Sequence, residues 1–144
     1  LILDFSKAFD KVPHQRLLRK LEQCGIRNSL HNWFKSWLIH REQKVVIDGD
    51  TSSSAPVTSD VPQGTVLGLL LFLIYINDIG SNITSNIRLF ADDCVIYRTI
   101  NSANHTKLLQ HDLDRLIFWS HKWQMLFNSS ECLVLRIYQK ATDH

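Results

Sequence analysis

The stretch Leu89-Phe90-Ala91-Asp92-Asp93-Cys94-Val95-Ile96-Tyr97 joins two apolar, strand-like runs through a pair of adjacent aspartates. A tight two-residue hairpin favours Asn-Gly or Asp-Gly, because its central positions need a positive φ. Two carboxylates about 4 Å apart repel by roughly 1 kcal/mol in water and by about 4 kcal/mol at an effective dielectric of roughly 20. The stretch therefore predicts either a solvated acidic turn or an acidic turn whose charge is offset by a cation.

Length and composition are those of an ordinary globular domain. The chain has 144 residues, 44% of them hydrophobic and 21% charged, which suits one domain with a single core. Its formal net charge of +2 does not by itself indicate a nucleic-acid-binding protein. The three cysteines are far apart, so neither a zinc knuckle nor a disulfide framework is predicted. A reducing, intracellular compartment suits them, and the sequence does not distinguish nuclear from cytoplasmic.

The longest apolar run, residues 66–76, predicts a core helix. As a helix it would be about 16 Å long, against roughly 30 Å for the hydrocarbon core of a bilayer, so no membrane span is predicted. The chain begins with Leu1 and its only methionine is Met125, so we expect a fragment of a longer reading frame. We expect residues 1–144 to form one domain.

Hydrophobic periodicity predicts an α+β domain. Strands are predicted over residues 1–5, 43–48, 55–61, 87–91, 94–99 and 132–138. Helices are predicted over residues 14–23, 29–40, 66–78 and from 102 to a break at 128–130. Hairpin-joined strands with helices on one face indicate an antiparallel sheet. In a four-stranded split β-α-β sheet the end of the first strand lies beside the central hairpin turn, which would bring Asp4 next to Asp92.

Helix patterns also predict which side chains are buried and where one helix begins. Trp33 and Trp37 are one turn apart, and this spacing favours core packing over a base-stacking platform. Thr65 is the predicted N-cap of the apolar helix. The buried stripe of the last helix is predicted to comprise Leu109, Leu113, Leu116, Ile117 and Trp123.

Three carboxylates at predicted strand ends, Asp4, Asp92 and Asp93, match the demands of phosphoryl transfer. Two divalent cations roughly 3.5–4 Å apart can activate a 3′-hydroxyl, stabilise the charge on phosphorus and ease the departure of pyrophosphate. Mg²⁺ prefers one or two carboxylates together with phosphate oxygens and water. Because the chain has 14 acidic residues, the three positions alone make this a hypothesis.

Four motifs, in order, closely resemble those of non-LTR (LINE-type) retrotransposon reverse transcriptases. They cover about residues 1–138 and read Leu3-Asp4-Phe5-Ser6-Lys7-Ala8-Phe9-Asp10-Lys11-Val12-Pro13-His14, Val61-Pro62-Gln63-Gly64-Thr65-Val66-Leu67-Gly68, Phe90-Ala91-Asp92-Asp93, and Lys122-Trp123-Gln124-Met125 with Phe127-Asn128 and Cys132. The resemblance implies the palm of an RNA-directed DNA polymerase, with Asp4 and Asp92 as the principal metal ligands and Asp93 in support. It implies two Mg²⁺ ions, or Mn²⁺ in their place.

The resemblance also implies substrate-binding positions at Phe5, Phe9, Gln63 and Gly64. Phe9 would lie under the incoming sugar and leave no room for a 2′-hydroxyl; from the residues alone, a core aromatic is the alternative. Gln63 and Gly64 would lie against the nascent base pair, and their alternative is a simple turn before a helix. The implied partners are an RNA template, a DNA primer and deoxynucleoside triphosphates, with no membrane. Fingers and thumb are expected outside this chain.

Three positions depart from the family pattern: Asp60 stands where glycine is usual, Leu69 where proline is usual, and Glu131 where lysine is usual. Asp60 would add negative charge near a polyanion site, and Glu131 would remove a candidate general acid. These departures leave a catalytically inactive remnant as an alternative. A phosphate-accepting receiver would need parallel β-α units, against which the hairpins argue. Asp10 and Asp78 are predicted to be structural hydrogen-bonding residues, with a partner expected for Asp78 at a helix C-terminus.

Overall fold

The computed structural model describes residues 1–138, which form seven short strands and four helices. The strands are β1 (Ile2–Leu3), β2 (Glu42–Gln43), β3 (Val46–Ile47), β4 (Asp50–Thr51), β5 (Ala55–Pro56), β6 (Asn86–Phe90) and β7 (Asp93–Tyr97). The helices are α1 (His14–Gln23), α2 (Asn28–Leu38), α3 (Val66–Ile76) and α4 (Ala103–Trp123). Residues 139–144, the end of the predicted domain, lie outside the described residues.

The main sheet is antiparallel, with strand order β1-β7-β6. A segment after α4 runs along the free edge of β1, where Phe127 bridges Phe5 and Leu133 bridges Ile2. The strand predicted over residues 132–138 is therefore wrong. Beyond Leu133 no described strand lies beside the chain, so its backbone has no ladder to join. The α+β class, with an antiparallel sheet, is confirmed.

One face of the main sheet is buried by the helices. Cys94 and Ile96 of β7 are fully buried, whereas Asp93 and Tyr97 on either side of them are exposed. This alternation is that of a half-buried antiparallel strand. The opposite face is open to solvent, and it is the face toward which the acidic residues at the end of the hairpin project.

Helix α3 is the centre of the core. Thr65 Oγ1 accepts a hydrogen bond from Gly68 N at 2.9 Å, which confirms the predicted N-cap. A Cβ on Gly68 would lie 2.1 Å from the carbonyl oxygen of Pro62, so this first turn accommodates only glycine. Phe72 and Tyr75 are fully buried. Within residues 1–138, no helix has both the length and the apolar character required to cross a bilayer.

Two predicted core positions lie at the surface instead. Trp33 is 51% exposed, although it is parallel to the partly buried Trp37 at a ring separation of 6.4 Å. Ile117 on α4 is 49% exposed. Both residues flank the buried stripe of their helix, where sequence periodicity alone does not say how wide the contact with the core will be.

Candidate active site

The antiparallel pairing of β1 with β7 brings two acidic segments together. Leu3 lies opposite Cys94 in this ladder. Continuing the register by one residue places Asp4 opposite Asp93, with both side chains on the same face. It is the open face of the sheet, because side chains alternate along a strand and Cys94 points into the core. The predicted proximity of the first strand to the hairpin turn is therefore observed.

The hairpin turn itself is displaced by one residue from the prediction. Phe90 pairs with Asp93, so Ala91 and Asp92 are the two turn residues and Asp93 begins β7. Ala91 adopts a φ of 51°, which a primed hairpin turn requires at its first central position. The positive φ falls on alanine, and both aspartates keep ordinary backbone conformations. Asp92 projects from the turn, whereas Asp93 projects from the sheet.

Glu131 joins the acidic cluster from the far edge of β1. Asn128 N donates to the carbonyl oxygen of Asp4 at 2.8 Å, and Glu131 N donates to the carbonyl oxygen of Asn128 at 3.0 Å. Burial raises the pKa of Asp4, and a hydrogen bond with Glu131 and the negative charges of Glu131 and Asp92 raise it further. The carboxylate that replaces the family's usual lysine thus lies directly beside Asp4.

The acidic residues can be compared with the ligand set that Mg²⁺ usually takes. In residues 1–138, no three histidine, cysteine, aspartate or glutamate side chains are grouped closely enough to hold a metal. Mg²⁺ commonly takes only one or two carboxylates and completes its shell with phosphate oxygens and water. Burial raises the pKa of Asp4 most, and the negative charges of Glu131 and Asp92 add to it; a divalent cation would offset those charges. Asp4 and Asp92 therefore fit such an ion.

The two phenylalanines of the first motif occupy different environments. Phe5 is 3% exposed and stacks on Phe127 at a centroid distance of 4.7 Å, so it belongs to the core. Phe9 is only partly buried and stacks on the fully buried Phe72 at 4.4 Å. Its carbonyl oxygen accepts a hydrogen bond from Val61 N at 3.0 Å. The Phe9 ring is therefore held against Phe72 on one side and is partly accessible on the other. Phe5 packs in the core under the end of β1.

Gln63 and Gly64 lie in an open turn that leads into α3. Both are exposed, and Gly64 adopts a φ of 83°, which favours glycine. No atom lies within 4 Å of the position that a Cβ on Gly64 would take. The hydrogen bond between Val61 N and Phe9 O connects this turn to the first motif. The backbone at Gly64 is therefore accessible to a ligand.

Asp60 is neutralised and does not present free charge. Its carboxylate receives two hydrogen bonds from the guanidinium of Arg41, one of them from Nη2 at 3.3 Å. The buried His14 lies 3.7 Å from Asp60 Oδ1 and shares a hydrogen bond with the Asp60 carbonyl oxygen at 2.9 Å. The expectation that Asp60 adds repulsion near a polyanion site is corrected by this pairing.

Asp78 has the partner that its position required. Lys20 Nζ donates to Asp78 Oδ1, and Trp119 Nε1 donates to the same oxygen at 2.9 Å. Lys20 is 2% exposed and lies over the rings of Trp123 at 4.0 Å and Trp119 at 4.7 Å. Burial lowers the pKa of Lys20 to about 8, opposed by its hydrogen bond and charge interaction with Asp78. Asp78 is thus a structural residue.

Asp112 is a positioning residue that sequence reasoning missed. It is fully buried on α4 and accepts hydrogen bonds from the backbone N–H and hydroxyl groups of Thr84 and Ser85, which precede β6. Asp112 thereby fixes the entry to the hairpin that carries Asp92 and Asp93. The sequence feature that could have identified Asp112 is its position as an acid on the apolar stripe between Leu109 and Leu116. Lys20 gives the same signal on the stripe of α1.

The chain is similar to proteins of a known family. The model of the reverse transcriptase (RNA-dependent DNA polymerase) family matches residues 1–140. Over 139 residues the chain is 32% identical to the RNA-directed DNA polymerase from mobile element jockey of Drosophila melanogaster, a match covering 90% of this chain and 15% of that protein. Over 137 residues it is 33% identical to the probable RNA-directed DNA polymerase from transposon X-element of the same species. That match covers 91% of this chain and 15% of the X-element protein.

The chain belongs to the reverse transcriptase family. Its resemblance to the non-LTR retrotransposon members, which rests on four motifs, is confirmed by the jockey and X-element relatives. A weaker match, 27% identical over 107 residues, is to the retrovirus-related Pol polyprotein from type-1 retrotransposable element R2 of Popillia japonica. The chain spans 15% of the length of the jockey and X-element proteins.

Proposed function

We propose that this chain is the palm of an RNA-directed DNA polymerase that adds deoxynucleotides to the 3′-end of a primer on an RNA template. The observation that carries the proposal is the β1–β7 register, which sets Asp4 opposite Asp93 and beside the Asp92 turn. A polymerase needs carboxylates from separate segments at one point, and this chain assembles them on an open face where a primer and a nucleotide have access. We assign Asp4 and Asp92 as metal ligands and Asp93 as their support.

Bound Mg²⁺ or Mn²⁺ at Asp4 and Asp92 would make the primer 3′-hydroxyl more acidic and offset the charge of the departing pyrophosphate. The protein's own part is to hold the two carboxylates in register and to orient the nucleotide. Asp4 does so from a backbone tied on one side to β7 and on the other to Asn128. This double anchoring supports a preorganised site.

Phe9, Gln63 and Gly64 supply nucleotide selection in this proposal, with Phe5 as the buried support below them. The Phe9 ring stacks on Phe72 and therefore resists rotating away, which suits a steric gate against a 2′-hydroxyl. The open turn at Gly64 allows a base pair to approach the backbone. The grip on template, primer duplex and triphosphate would come from fingers and thumb supplied by the longer polypeptide. The chain spans 15% of the length of the jockey relative, which supports this division.

The proposal is tested by primer extension on an RNA template with the chain joined to its flanking polypeptide. We expect Asp92→Asn to lower the extension rate by about 100- to 1,000-fold, the range seen when one electrostatic stabiliser of a transition state is removed. Asp114→Asn, an exposed aspartate on α4, is the matched control and should leave the rate unchanged. Equal rates for Asp92→Asn and the parent would remove the catalytic assignment.

The second candidate function is a catalytically inactive remnant that keeps the fold and contacts nucleic acid. The position of Glu131 beside Asp4 favours it, because a further negative charge opposes the approach of a triphosphate. The Glu131→Lys variant separates the two candidates. An inactive parent with an active Glu131→Lys variant would identify a remnant silenced at this position, whereas an active parent would support the polymerase.

A further inference from the structure

A short turn over residues 128–132 lies beside β1, on the edge of that strand opposite to β7. Its first residue, Asn128, closes it with both its main chain and its side chain. The Asn128 carbonyl oxygen accepts hydrogen bonds from Glu131 N at 3.0 Å and from Cys132 N at 3.1 Å. Asn128 Oδ1 accepts from Ser130 Oγ at 2.7 Å and from Ser130 N at 3.3 Å. An asparagine that bonds the main chain two residues further on stabilises a turn by itself.

The 128–132 turn is needed because two facing segments differ in length. Leu133 exchanges two hydrogen bonds of 2.9 Å with Ile2, and Asn128 N donates to the carbonyl oxygen of Asp4 at 2.8 Å. Asp4 is two positions after Ile2, whereas Asn128 is five positions before Leu133. The extra residues therefore fold out of line with β1, as in a β-bulge, a feature that is common beside active sites. The Asn128 side chain fixes how they fold.

This arrangement holds the main chain at Asp4. The β1–β7 ladder ends with the pair Leu3 and Cys94, so Asp4 lies one residue beyond it. The hydrogen bond from Asn128 N reaches Asp4 from the opposite edge of the strand. Ligands in a functional site must keep their positions to within about 0.5 Å. Loosening the turn would consequently displace Asp4 relative to Asp92 without changing either carboxylate.

The Asn128 side chain is placed to affect the acidic site more than the hydrophobic core. Asn128 is only partly buried, and Ser129 and Ser130 are exposed. In the part of the chain that the structure describes, Phe127 packs against the core, whereas none of residues 128–132 belongs to it. Loss of the side-chain hydrogen bonds should therefore loosen the turn and leave the melting temperature almost unchanged.

We propose that Asn128 is a positioning residue for nucleotide addition, whose side chain closes the 128–132 turn and so holds Asp4 at the metal site. The inference rests on the proposed function and deepens it, because it adds a side chain that contacts neither the substrate nor the metal. Asn128 acts through its main-chain hydrogen bond to Asp4. The rate of the reaction then depends on a residue outside the acidic cluster.

Primer extension on an RNA template, with the chain joined to its flanking polypeptide, tests the proposal. Asn128→Ala should lower kcat by about 10- to 100-fold, because a misplacement on the order of 1 Å costs about 100-fold. The KM for the deoxynucleotide should stay within about twofold of the parent, since nucleotide binding is not what the turn supports. Asn128→Ser forms the same kind of turn more weakly and adds no charge, so its kcat should fall between the two. Ser129→Ala, an exposed serine of the same turn, is the matched control and should leave kcat unchanged.

A double-mutant cycle tests whether the side-chain hydrogen bond is responsible. Ser130→Ala removes the hydroxyl that donates to Asn128 Oδ1 and should lower kcat less than Asn128→Ala does, because the Ser130 N–H remains. Adding Ser130→Ala to Asn128→Ala should have no further effect, since both changes break the same contact. Additive losses would contradict the proposal. If Asn128→Ala does not fold, Ser130→Ala at its exposed position carries the test.

Amide hydrogen exchange in the 144-residue chain provides a readout that does not depend on activity. In Asn128→Ala the amides of residues 128, 131 and 132 should exchange at least about tenfold faster, because the turn that protects them is loosened. The amide of Ile96, which donates to the Leu1 carbonyl oxygen at 3.0 Å in the main sheet, should exchange at the parent's rate. Circular dichroism melting checks that each variant is folded.

The inference is overturned if Asn128→Ala extends the primer with the parent's kcat. It is also overturned if exchange at Ile96 accelerates as much as exchange in the turn, since that would show a general loosening of the fold. A parent that does not extend the primer would overturn the proposed function and this inference with it. An active parent matched by Asn128→Ala would overturn the inference alone.

Discussion

Asp60 occupies a backbone conformation that ordinarily belongs to glycine. Its φ is 142°, in a region where a Cβ strains the chain by about 1–3 kcal/mol. The resemblance to reverse transcriptases places glycine at this position, and the backbone explains that preference. The Arg41 contact offsets little of the strain, since a partly exposed ion pair contributes about 0–1 kcal/mol.

We predict that Asp60→Gly is more stable than Asp60→Ala by about 1–2 kcal/mol. Both variants lose the Arg41 pair, so their difference reports the backbone alone. At an ordinary position alanine would be the more stable by about 0.4–1 kcal/mol, because glycine adds entropy to the unfolded chain. Urea unfolding midpoints measure the difference. An alanine variant as stable as the glycine variant would contradict the strain.

Asp112 is a buried acid that the fold keeps ionised. Burial by itself would raise the pKa of Asp112, but hydrogen bonds from the side chains and backbone of Ser85 and Thr84 outweigh it and hold the pKa well below its usual range. A depressed pKa in the folded state stabilises the fold above the unfolded value of 3.8, and this stabilisation is lost as the pH falls below it.

Asp112→Asn is therefore expected to lower the free energy of unfolding by about 2–3 kcal/mol at pH 7, since hydrogen bonds to a charged group contribute about 1.5–3 kcal/mol each and the amide keeps only some of them. The variant should also lose part of the parent's decline in stability below about pH 4. Asp114→Asn, two residues away and exposed, should change neither quantity. Chemical denaturation at several pH values gives both results.

Residue types revealed the acidic site but not its supports. The sequence points to Asp4, Asp92 and Asp93 because they interrupt apolar runs at strand ends, and the β1–β7 pairing brings their segments together. Asp92 lies in the turn because Ala91 adopts the positive φ that the twist of the two strands favours there. The sequence does not show this. The sequence marks Glu131 only as a departure from the family pattern, because its contact with Asp4 depends on the loop at Asn128.

At the scale of elements, one ion pair joins three helices. Lys20 of α1 donates to the Tyr75 carbonyl oxygen on α3 and to Asp78 just beyond it, and it lies over two tryptophans of α4. Removing one member of a buried pair leaves an uncompensated charge, whereas replacing both with neutral groups is often tolerated. The pair should therefore show strong coupling.

We predict that Asp78→Asn destabilises the fold by about 2–3 kcal/mol, less than the roughly 3–5 kcal/mol of a fully buried pair because Asp78 is partly exposed. Lys20→Met/Asp78→Asn should recover most of that loss, since methionine fills the aromatic enclosure and asparagine still accepts from Trp119. A double-mutant cycle measures the coupling. Additive effects of the two changes would argue against it.

The pH dependence of the same variants is a second readout. Lys20 has a folded-state pKa of about 8 against 10.5 for the free side chain. The folded chain releases this proton first, so the parent's stability should rise between about pH 8 and 10.5 from this group. Variants with Lys20→Met should lack that contribution.

Elements with strong local signals were predicted well. Helix α1 has the predicted bounds of residues 14–23, and the Thr65 cap of α3 is observed. The strand predicted over residues 43–48 runs one residue too far, because Asp48 and Gly49 both take a positive φ in the turn between β3 and β4, as an Asp-Gly hairpin requires. The predicted strand at 132–138 failed because apolar alternation does not reveal whether a neighbouring strand exists.

At the scale of the whole molecule, α3 has two apolar faces. Its inner face is buried, while its outer face exposes Val66 by 90% and Leu69, Leu70 and Leu73 by 41–50%. These four residues follow helical spacing, so they form one continuous stripe, and a helix that is apolar all round is normally buried on both sides. A stripe of this kind is a site of association in water.

The isolated chain is accordingly predicted to self-associate through α3. Leu69→Lys/Leu73→Lys should shift it toward the monomer at little cost in melting temperature, because the two side chains are 44% and 41% exposed. Asn104→Lys/Thr106→Lys adds the same charge to exposed positions of α4 and should leave association unchanged. Sedimentation velocity across a concentration series distinguishes them. Equal association by all three proteins would show that the contact lies elsewhere.

Because β1 has only two residues, the arrangement of the acidic residues is sensitive to the deletion of a single residue. Only Ile2 and Leu3 of β1 pair with β7. Because side chains alternate along a strand, adding or removing one residue in β7 moves an aspartate to the other face of the sheet. Loss of a single codon within β7, such as that of Val95, would turn Asp93 inward if Ile96 kept its place in the core. A protein altered in this way would keep every aspartate in its sequence, but the aspartates would no longer lie on one face of the sheet.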